Sequence, residues 1–284
     1  MPYTGLFVGL TTLDFIYLSD RPLEVEQKLV AQDYLTVAGG PATNAAVAFG
    51  SFDCHAKLLT VLGQHPLTEL IISDLDECLV ETIDLMPEKT DTPPISSIIV
   101  MEDTGKRGVI SINAVKSQAN QPIAKEILND VDIVLIDGHQ IAVSLAIAKL
   151  ARSRQIPVVI DGGSWKPGLE KILPFADYVI ASANFYPPQC QNVSDVFSFL
   201  QSFDISYAAI TNGAKPIQCQ EKGNSYSIAV PSLEAVDTLG AGDIFHGAFC
   251  NYILEESFAN ALSLSAKIAG KSCQHFGTRN WLNY

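Results

Sequence analysis

Short apolar runs recur along this chain at intervals that leave room for a helix between them: Leu6–Leu10, Leu58–Leu62, Ile133–Ile136, Pro157–Ile160, Tyr178–Ile180 and Ala208–Ile210. Each is too short for a helix and rich in Val, Ile or Leu, which marks a buried strand. Between them lie segments with helical spacing. Ser144–Ser153 is one, with Leu145, Ala148, Lys149 and Ala151 on a mixed face. This alternation predicts an α/β fold with a mainly parallel sheet covered by helices on both sides.

Two stretches break the alternation. Ile95–Met101 and Gly108–Asn113 are strand-like and joined by the turn chemistry of Glu102-Asp103-Thr104-Gly105-Lys106. Glu24–Val37 also alternates, around Leu29, Ala31 and Tyr34. Hairpin-like pieces outside a parallel sheet predict a small β lid, built from about 24–37 and 95–113, over the sheet's open end. Without a repeat, a low-complexity segment or a linker, residues 1–284 read as a single domain.

Composition narrows the class. With 48% hydrophobic and 17% charged residues, a sizeable core is expected and disorder is not. The longest apolar stretches, such as Val131–Ile136 and Ile156–Ile160, fall far short of the roughly 18 residues of a membrane helix. Met1-Pro2-Tyr3-Thr4-Gly5 lacks the basic start and apolar run of a secretory signal. A cytoplasmic protein without a membrane partner is expected. Cys54, Cys78, Cys190, Cys219, Cys250 and Cys273 are scattered, without a Cys-x-x-Cys pair, and read as reduced thiols. The histidines show no metal-ligand spacing. A formal charge of −13 argues against a nucleic-acid partner, yet leaves room for a phosphorylated ligand in a locally positive pocket.

The most informative string is Asp237-Thr238-Leu239-Gly240-Ala241-Gly242-Asp243, followed by Ile244, Phe245, Ala248, Phe249, Tyr252 and Ile253 at helical spacing. The helix should start at about Ala241 or Gly242. Small residues leave the amides uncovered there, and with the dipole they make an anion site. A carboxylate beside a bound phosphate is repelled by it and serves binding poorly. As a base taking the proton from an attacking hydroxyl, it makes good sense. Alone, Gly-Ala-Gly-Asp would also suit an ordinary turn with a favourable helix-end charge.

A second motif tips the balance: Gly39-Gly40-Pro41-Ala42-Thr43-Asn44-Ala45-Ala46-Val47-Ala48. Two glycines precede a proline in a first helical turn. Asn44 is a lone amide among small residues, suited to hydrogen-bonding a polyhydroxy ligand or to capping a turn internally.

Together these motifs resemble the PfkB (ribokinase-like) carbohydrate kinase family, over nearly the whole chain. The resemblance implies a doubly wound α/β domain with a β lid over the sugar, and transfer of phosphate from ATP, with Mg2+, to an alcohol group. By matching position, Asp243 resembles the catalytic base, and Gly240, Ala241 and Gly242 the anion hole. Asp14 resembles the acid that holds sugar hydroxyls, and Gly39, Gly40 and Asn44 the sugar-side backbone and amide. Thr211-Asn212-Gly213 is similar to the family's Thr-x-Gly loop at the nucleotide phosphates. Ala269, Ser272, Cys273 and His275 resemble the wall of the adenine site. A K+ ion near Asp237 and Thr238 and a homodimer are further implications.

Some positions depart from the family pattern. The family's Asn-x-x-Glu is here Asn184 with Pro187, so magnesium is expected on ATP oxygens and water, with Asn184 nearby. In place of Asp-x-Asn-x-Arg stands Asp161-Gly162-Gly163-Ser164-Trp165-Lys166, with Lys166 able to supply a point charge to the phosphates. Arg107, after the lid turn, and His139, after a strand, are candidate selectivity residues. Gly270-Lys271-Ser272 is not a P-loop, because position 265 is Ser and the segment Ser257–Gln274 reads as helical. No Gly-x-Gly-x-x-Gly follows a strand, which sets aside a dinucleotide fold. A nucleoside kinase of this pattern and an impaired sugar-sensing relative are the remaining alternatives.

Overall fold

A computed structural model describes residues 2–112 and 118–283. The strands in chain order are β1 (Thr4–Val8), β2 (Thr12–Ser19), β3 (Asp33–Gly39), β4 (His55–Thr60), β5 (Val80–Asp84), β6 (Ile95–Met101) and β7 (Arg107–Ser111). They continue with β8 (Ile133–Ile136), β9 (Val158–Gly162), β10 (Tyr178–Ser182), β11 (Tyr207–Asn212), β12 (Lys215–Glu221) and β13 (Asn224–Ile228). The helices are α1 (Pro41–Gly50), α2 (Pro66–Glu77), α3 (Ile141–Ser153), α4 (Val193–Gln201), α5 (Ala241–Tyr252) and α6 (Phe258–Ser272).

The large sheet has the order β13-β12-β11-β10-β9-β8-β1-β4-β5. It is parallel from β11 to β5, and β12 and β13 add antiparallel to one edge. Alternate side chains of each strand enter opposite cores. Phe7, Ile133, Leu135, Val159 and Ile180 pack with Ala45, Phe49, Phe249 and Leu262 of α1, α5 and α6. Leu6, Val8, Val134, Ile136 and Val158 pack with Val143 and Ile147 of α3 and Val196 and Leu200 of α4. Both faces are covered, which is why the runs are apolar throughout. Edge strands β5, β12 and β13 carry polar residues between apolar ones and were not among the expected runs.

The chain winds outward from β1 to β4 and β5, then crosses to β8 on the other side of β1. That reversal opens a crevice at the carboxyl ends of β1 and β8, where ligands bind in such sheets.

A second sheet, β3-β2-β6-β7, stands apart. The β6–β7 hairpin lies where the turn chemistry put it, with Gly105 at φ 60°; the last residue of the expected stretch, Asn113, is outside the described residues. The other expected piece is corrected. Within Glu24–Val37 only residues 33–37 are strand, the first part of β3. Val25 and Val30 are 92% and 76% exposed, so the alternation before Asp33 has no face to bury. The central strand is instead β2, pairing antiparallel with β3 and parallel with β6. No helix among the described residues is long and apolar enough to cross a membrane.

One packing feature positions the site. A Cβ on Gly247 of α5 would stand 2.2 Å from the Ala45 carbonyl of α1. The two helices can touch only because that residue is glycine and α1 is built largely of alanine. Their approach carries Asn44 to the first turn of α5.

Candidate active site

Helix α5 begins at Ala241 behind Gly240, whose φ of 68° belongs to the left-handed region. No side chain caps its first amides. The Ala241 amide donates to the Thr238 carbonyl at 3.4 Å, and space is open where a Cβ on Gly242 would stand, so this helix start faces an unfilled volume.

Asp243 lies in that first turn. Its Oδ2 accepts a hydrogen bond from Asn44 Nδ2 at 2.9 Å. Burial, reinforced by the nearby Asp161 carboxylate, pushes its proton affinity up to a pKa of about 7; the Asn44 hydrogen bond, His246 and Arg107 oppose the rise. A carboxyl titrating there is suited to general-base work near neutrality. His246, one turn on and buried, sets Nδ1 2.7 Å from the Gly242 carbonyl and Nε2 3.0 Å from the Ile180 carbonyl. It also lies 3.7 Å from Asp161 Oδ1.

Asp14, buried in β2, accepts from Thr12 Oγ1 at 2.6 Å. Burial raises its proton affinity, while the Thr12 and Ser96 hydroxyls and the charge of Arg279 lower it. A Cβ on Gly39 would stand 1.9 Å from Asp14 Oδ2, and one on Gly40 2.3 Å from the Leu10 carbonyl. The glycine pair therefore exists so that β3 can pass against this carboxylate and the loop after β1.

Asp137 closes β8 and pins the crevice. Its oxygens accept from the amides of Leu10 and His139 at 2.8 Å and Ala42 at 3.3 Å. His139 is half-buried, and burial lowers its proton affinity; Asp137 opposes this and Lys166 adds to it. Lys166 thus stands close enough to His139 for its charge to act on the imidazole. Arg107 reaches from β7 to donate to Thr238 Oγ1 at 2.8 Å, joining the second sheet to the loop before α5. Asp237 accepts from Leu239 and Gly277 amides at 2.8 and 2.9 Å, and burial raises its proton affinity.

The nucleotide-side candidates lie further along the same sheet edge. Thr211 is the penultimate residue of β11, and its carbonyl accepts from the Ala183 amide at 2.8 Å. Gly213 turns the chain at φ 54° with open space at its Cβ position. Asn184 is exposed after β10, whereas Pro187, at the family's Glu position, is buried. The Cys273 carbonyl accepts from the amides of Val236 and Asp237, so the end of α6, with Ala269 one turn back, adjoins the loop leading to α5. The structure thus gathers Asp14, Gly39, Gly40, Asn44, Arg107 and Asp237–Asp243 into one network. Lys166 and His139 stand together just past β8, while Thr211 in β11 and Asn184 and Gly213 in turns lie outside that network.

Sequence reasoning passed over Arg279, Asp74, Asp137 and His246 as site residues. Asp137 had a readable signal, a carboxylate closing a fully apolar run; Asp161 has the same one. Arg279 had none, because its partners are far away in sequence.

Solved structures share this architecture. A putative ribokinase from Agrobacterium tumefaciens matches with a TM-score of 0.87 and 25% identity over 100% of both chains. A ribokinase of Arabidopsis thaliana complexed with ribose and ATP matches at 0.76 and 18% identity, over 100% of this chain and 99% of that one. In sequence, the chain is 22% identical to a ribokinase of Lactococcus lactis, over 96% of this chain and 91% of that protein. Fold and relatives define an ATP-dependent carbohydrate kinase with a ribokinase-like fold. The model for the pfkB family carbohydrate kinases matches residues 6–283, and the chain belongs to that family.

Proposed function

We propose that the chain transfers the γ-phosphoryl group of ATP to a hydroxyl of a small sugar or sugar-like alcohol, with Asp243 as base and the Gly240–Gly242 amides as anion hole. The observation that supports this best is a single one. A carboxylate with raised proton affinity stands at an open helix start, linked by Asn44 to the sugar-side glycines beside Asp14. The substrate O–H gives its proton to Asp243 as its oxygen bonds the γ-phosphorus. The bond from that phosphorus to the bridging oxygen breaks, and ADP leaves with the electron pair. Amides and the dipole of α5 stabilise charge on the transferring group.

Asp14 and the Gly39–Gly40 backbone hold sugar hydroxyls, with His139 and Arg107 shaping selectivity and the second sheet acting as lid. Lys166, Thr211 and Gly213 meet the phosphates, and Ala269 and Cys273 the adenine. No group of three or more His, Cys, Asp or Glu side chains suited to a metal occurs among the described residues. A magnesium ion would be carried by ATP oxygens and water, with Asn184 nearby, and would there neutralise phosphate charge. A potassium ion beside Asp237 and Thr238 would relieve the desolvated Asp237 carboxylate. Exposed Tyr34, Val109 and Ile110 on the second sheet suit a homodimer contact, and a reaction that draws on ATP fits a cytoplasmic location.

The test is the pH profile of kcat. Asp243 accepts a proton only when ionised, so kcat should rise through a limb near pH 7 and fall about tenfold per unit below it. A rate already at its plateau at pH 5 would rule out a base of this kind. A second expectation concerns ATP. Gly213→Val adds a branched side chain in the left-handed region, a penalty of roughly 1–2 kcal/mol, and fills the space at the phosphate loop. The KM for ATP should rise about tenfold while sugar binding persists. An unchanged KM in the folded variant would remove this loop from the site.

A further inference from the structure

We infer that Arg279 is a positioning residue for Asp243, acting through the side-chain amide of Asn44; the inference rests on the reading of Asp243 as base. A guanidinium only donates. Arg279 Nη1 lies 3.1 Å from Asn44 Oδ1, which fixes the oxygen on that side and leaves Nδ2 toward Asp243 Oδ2. With the amide turned over, two acceptor oxygens would face each other at Asp243.

The guanidinium is itself held on every side. Nη2 and Nε donate to Asp74 Oδ2 of α2 at 2.9 and 3.2 Å, Nη2 to the Ala38 carbonyl at 2.6 Å, and Nη1 to Thr278. The pair is largely buried, with side-chain exposures of 11% and 15%. The same Asp74 oxygen accepts from the Ala38 amide at 3.0 Å. Ala38 immediately precedes the glycine pair that passes Asp14. One cation therefore ties the sugar-side end of β3 to the orientation of the amide at the base.

The charged groups around this chain are identifiable. Asp243 faces Asp161 of β9, which raises its proton affinity, and Asn44 of α1, His246 of its own helix and Arg107 of β7, which lower it. Arg279 faces Asp74 of α2, Cys78 just past the end of α2, and Asp14 of β2. Among the contributions that lower the proton affinity of Asp243, the Asn44 hydrogen bond is the largest. Releasing the Asn44 amide should move the titration of Asp243 upward by about one pH unit, the size of one charge-assisted hydrogen bond.

The experiment is a pH titration of the full chain labelled with 13C at aspartate carboxyls, with the Asp243 signal assigned by its loss in Asp243→Asn. Arg279→Lys keeps a cation for Asp74 but loses the planar fork; Arg279→Gln is the second variant, and thermal melts establish which of them are folded. The midpoint should rise by about one unit in Arg279→Lys or Arg279→Gln and in Asn44→Ala, with no further rise when the two are combined. An unmoved midpoint in a folded Arg279 variant, or shifts that add fully in the double variant, would overturn the inference. Failure of the base reading shows separately, as a near wild-type kcat in Asp243→Asn, and does not alter the titration.

Discussion

Asp243→Asn should lower kcat by at least two orders of magnitude, since a positioned base is worth about 10² to 10⁴. The asparagine keeps the shape and can still face Asn44, but it accepts no proton. Sugar affinity should change little. ATP affinity should hold or improve, because a negative charge beside the phosphates is gone. Stability gives a second, independent readout. The carboxyl titrates near 3.9 in an unfolded chain and at about 7 in the folded one. The folded state thus holds the proton more tightly, and the stability this confers is present below about pH 4 and lost as pH rises through 7. Asparagine carries no such loss. The variant should therefore melt higher than wild type at pH 8, with the difference shrinking toward pH 5. Equal melting temperatures at pH 8 would mean that the carboxylate is better solvated than its surroundings indicate.

The second large effect is expected from Gly39→Ala. A methyl group there would stand 1.9 Å from Asp14 Oδ2, a distance no contact tolerates. The β3 backbone is fixed by pairing of Gly39 with Thr12 and by the Asp74 and Arg279 bonds to Ala38. The carboxylate must therefore turn away from Thr12 and from any sugar hydroxyl. Loss of hydrogen bonds to a charged group, at roughly 1.5–3 kcal/mol each, should lower kcat/KM for the sugar by about 10² while the KM for ATP stays within about twofold. The displaced buried carboxylate should also cost stability, on the order of 1–3 kcal/mol. If kcat/KM for the sugar is retained, Asp14 is not a sugar ligand.

The parts of this fold that local chemistry determines were legible in the sequence. Pro41 stands at the first position of α1, Gly240 caps α5, and the β6–β7 hairpin closes over Gly105. Apolar runs announced the central strands because both faces of the sheet are buried. Strand β2 was hidden because its buried residues include Thr12 and Asp14, polar side chains that satisfy each other only once folded. The candidate site divided in the same way. Its two glycine-rich motifs could be read as anion hole and sugar side. The bond that joins them, Asn44 to Asp243, spans 199 positions, and the Arg279–Asp74 pair spans 205. The first follows from the packing of α1 on α5, which a Gly247 between Phe residues does not announce on its own, and the second from the C-terminal segment reaching α2.

The central claim is that phosphoryl transfer to an alcohol depends on Asp243. It is tested most directly by 31P NMR of the protein with Mg-ATP and a panel of pentoses, hexoses, sugar acids and nucleosides, followed in wild type and Asp243→Asn side by side. A phosphomonoester signal that grows with ADP in the wild type, and at least a hundredfold more slowly in the folded variant, is the predicted result. Equal growth in both proteins, or release of inorganic phosphate with no phosphomonoester from any member of the panel, would contradict it.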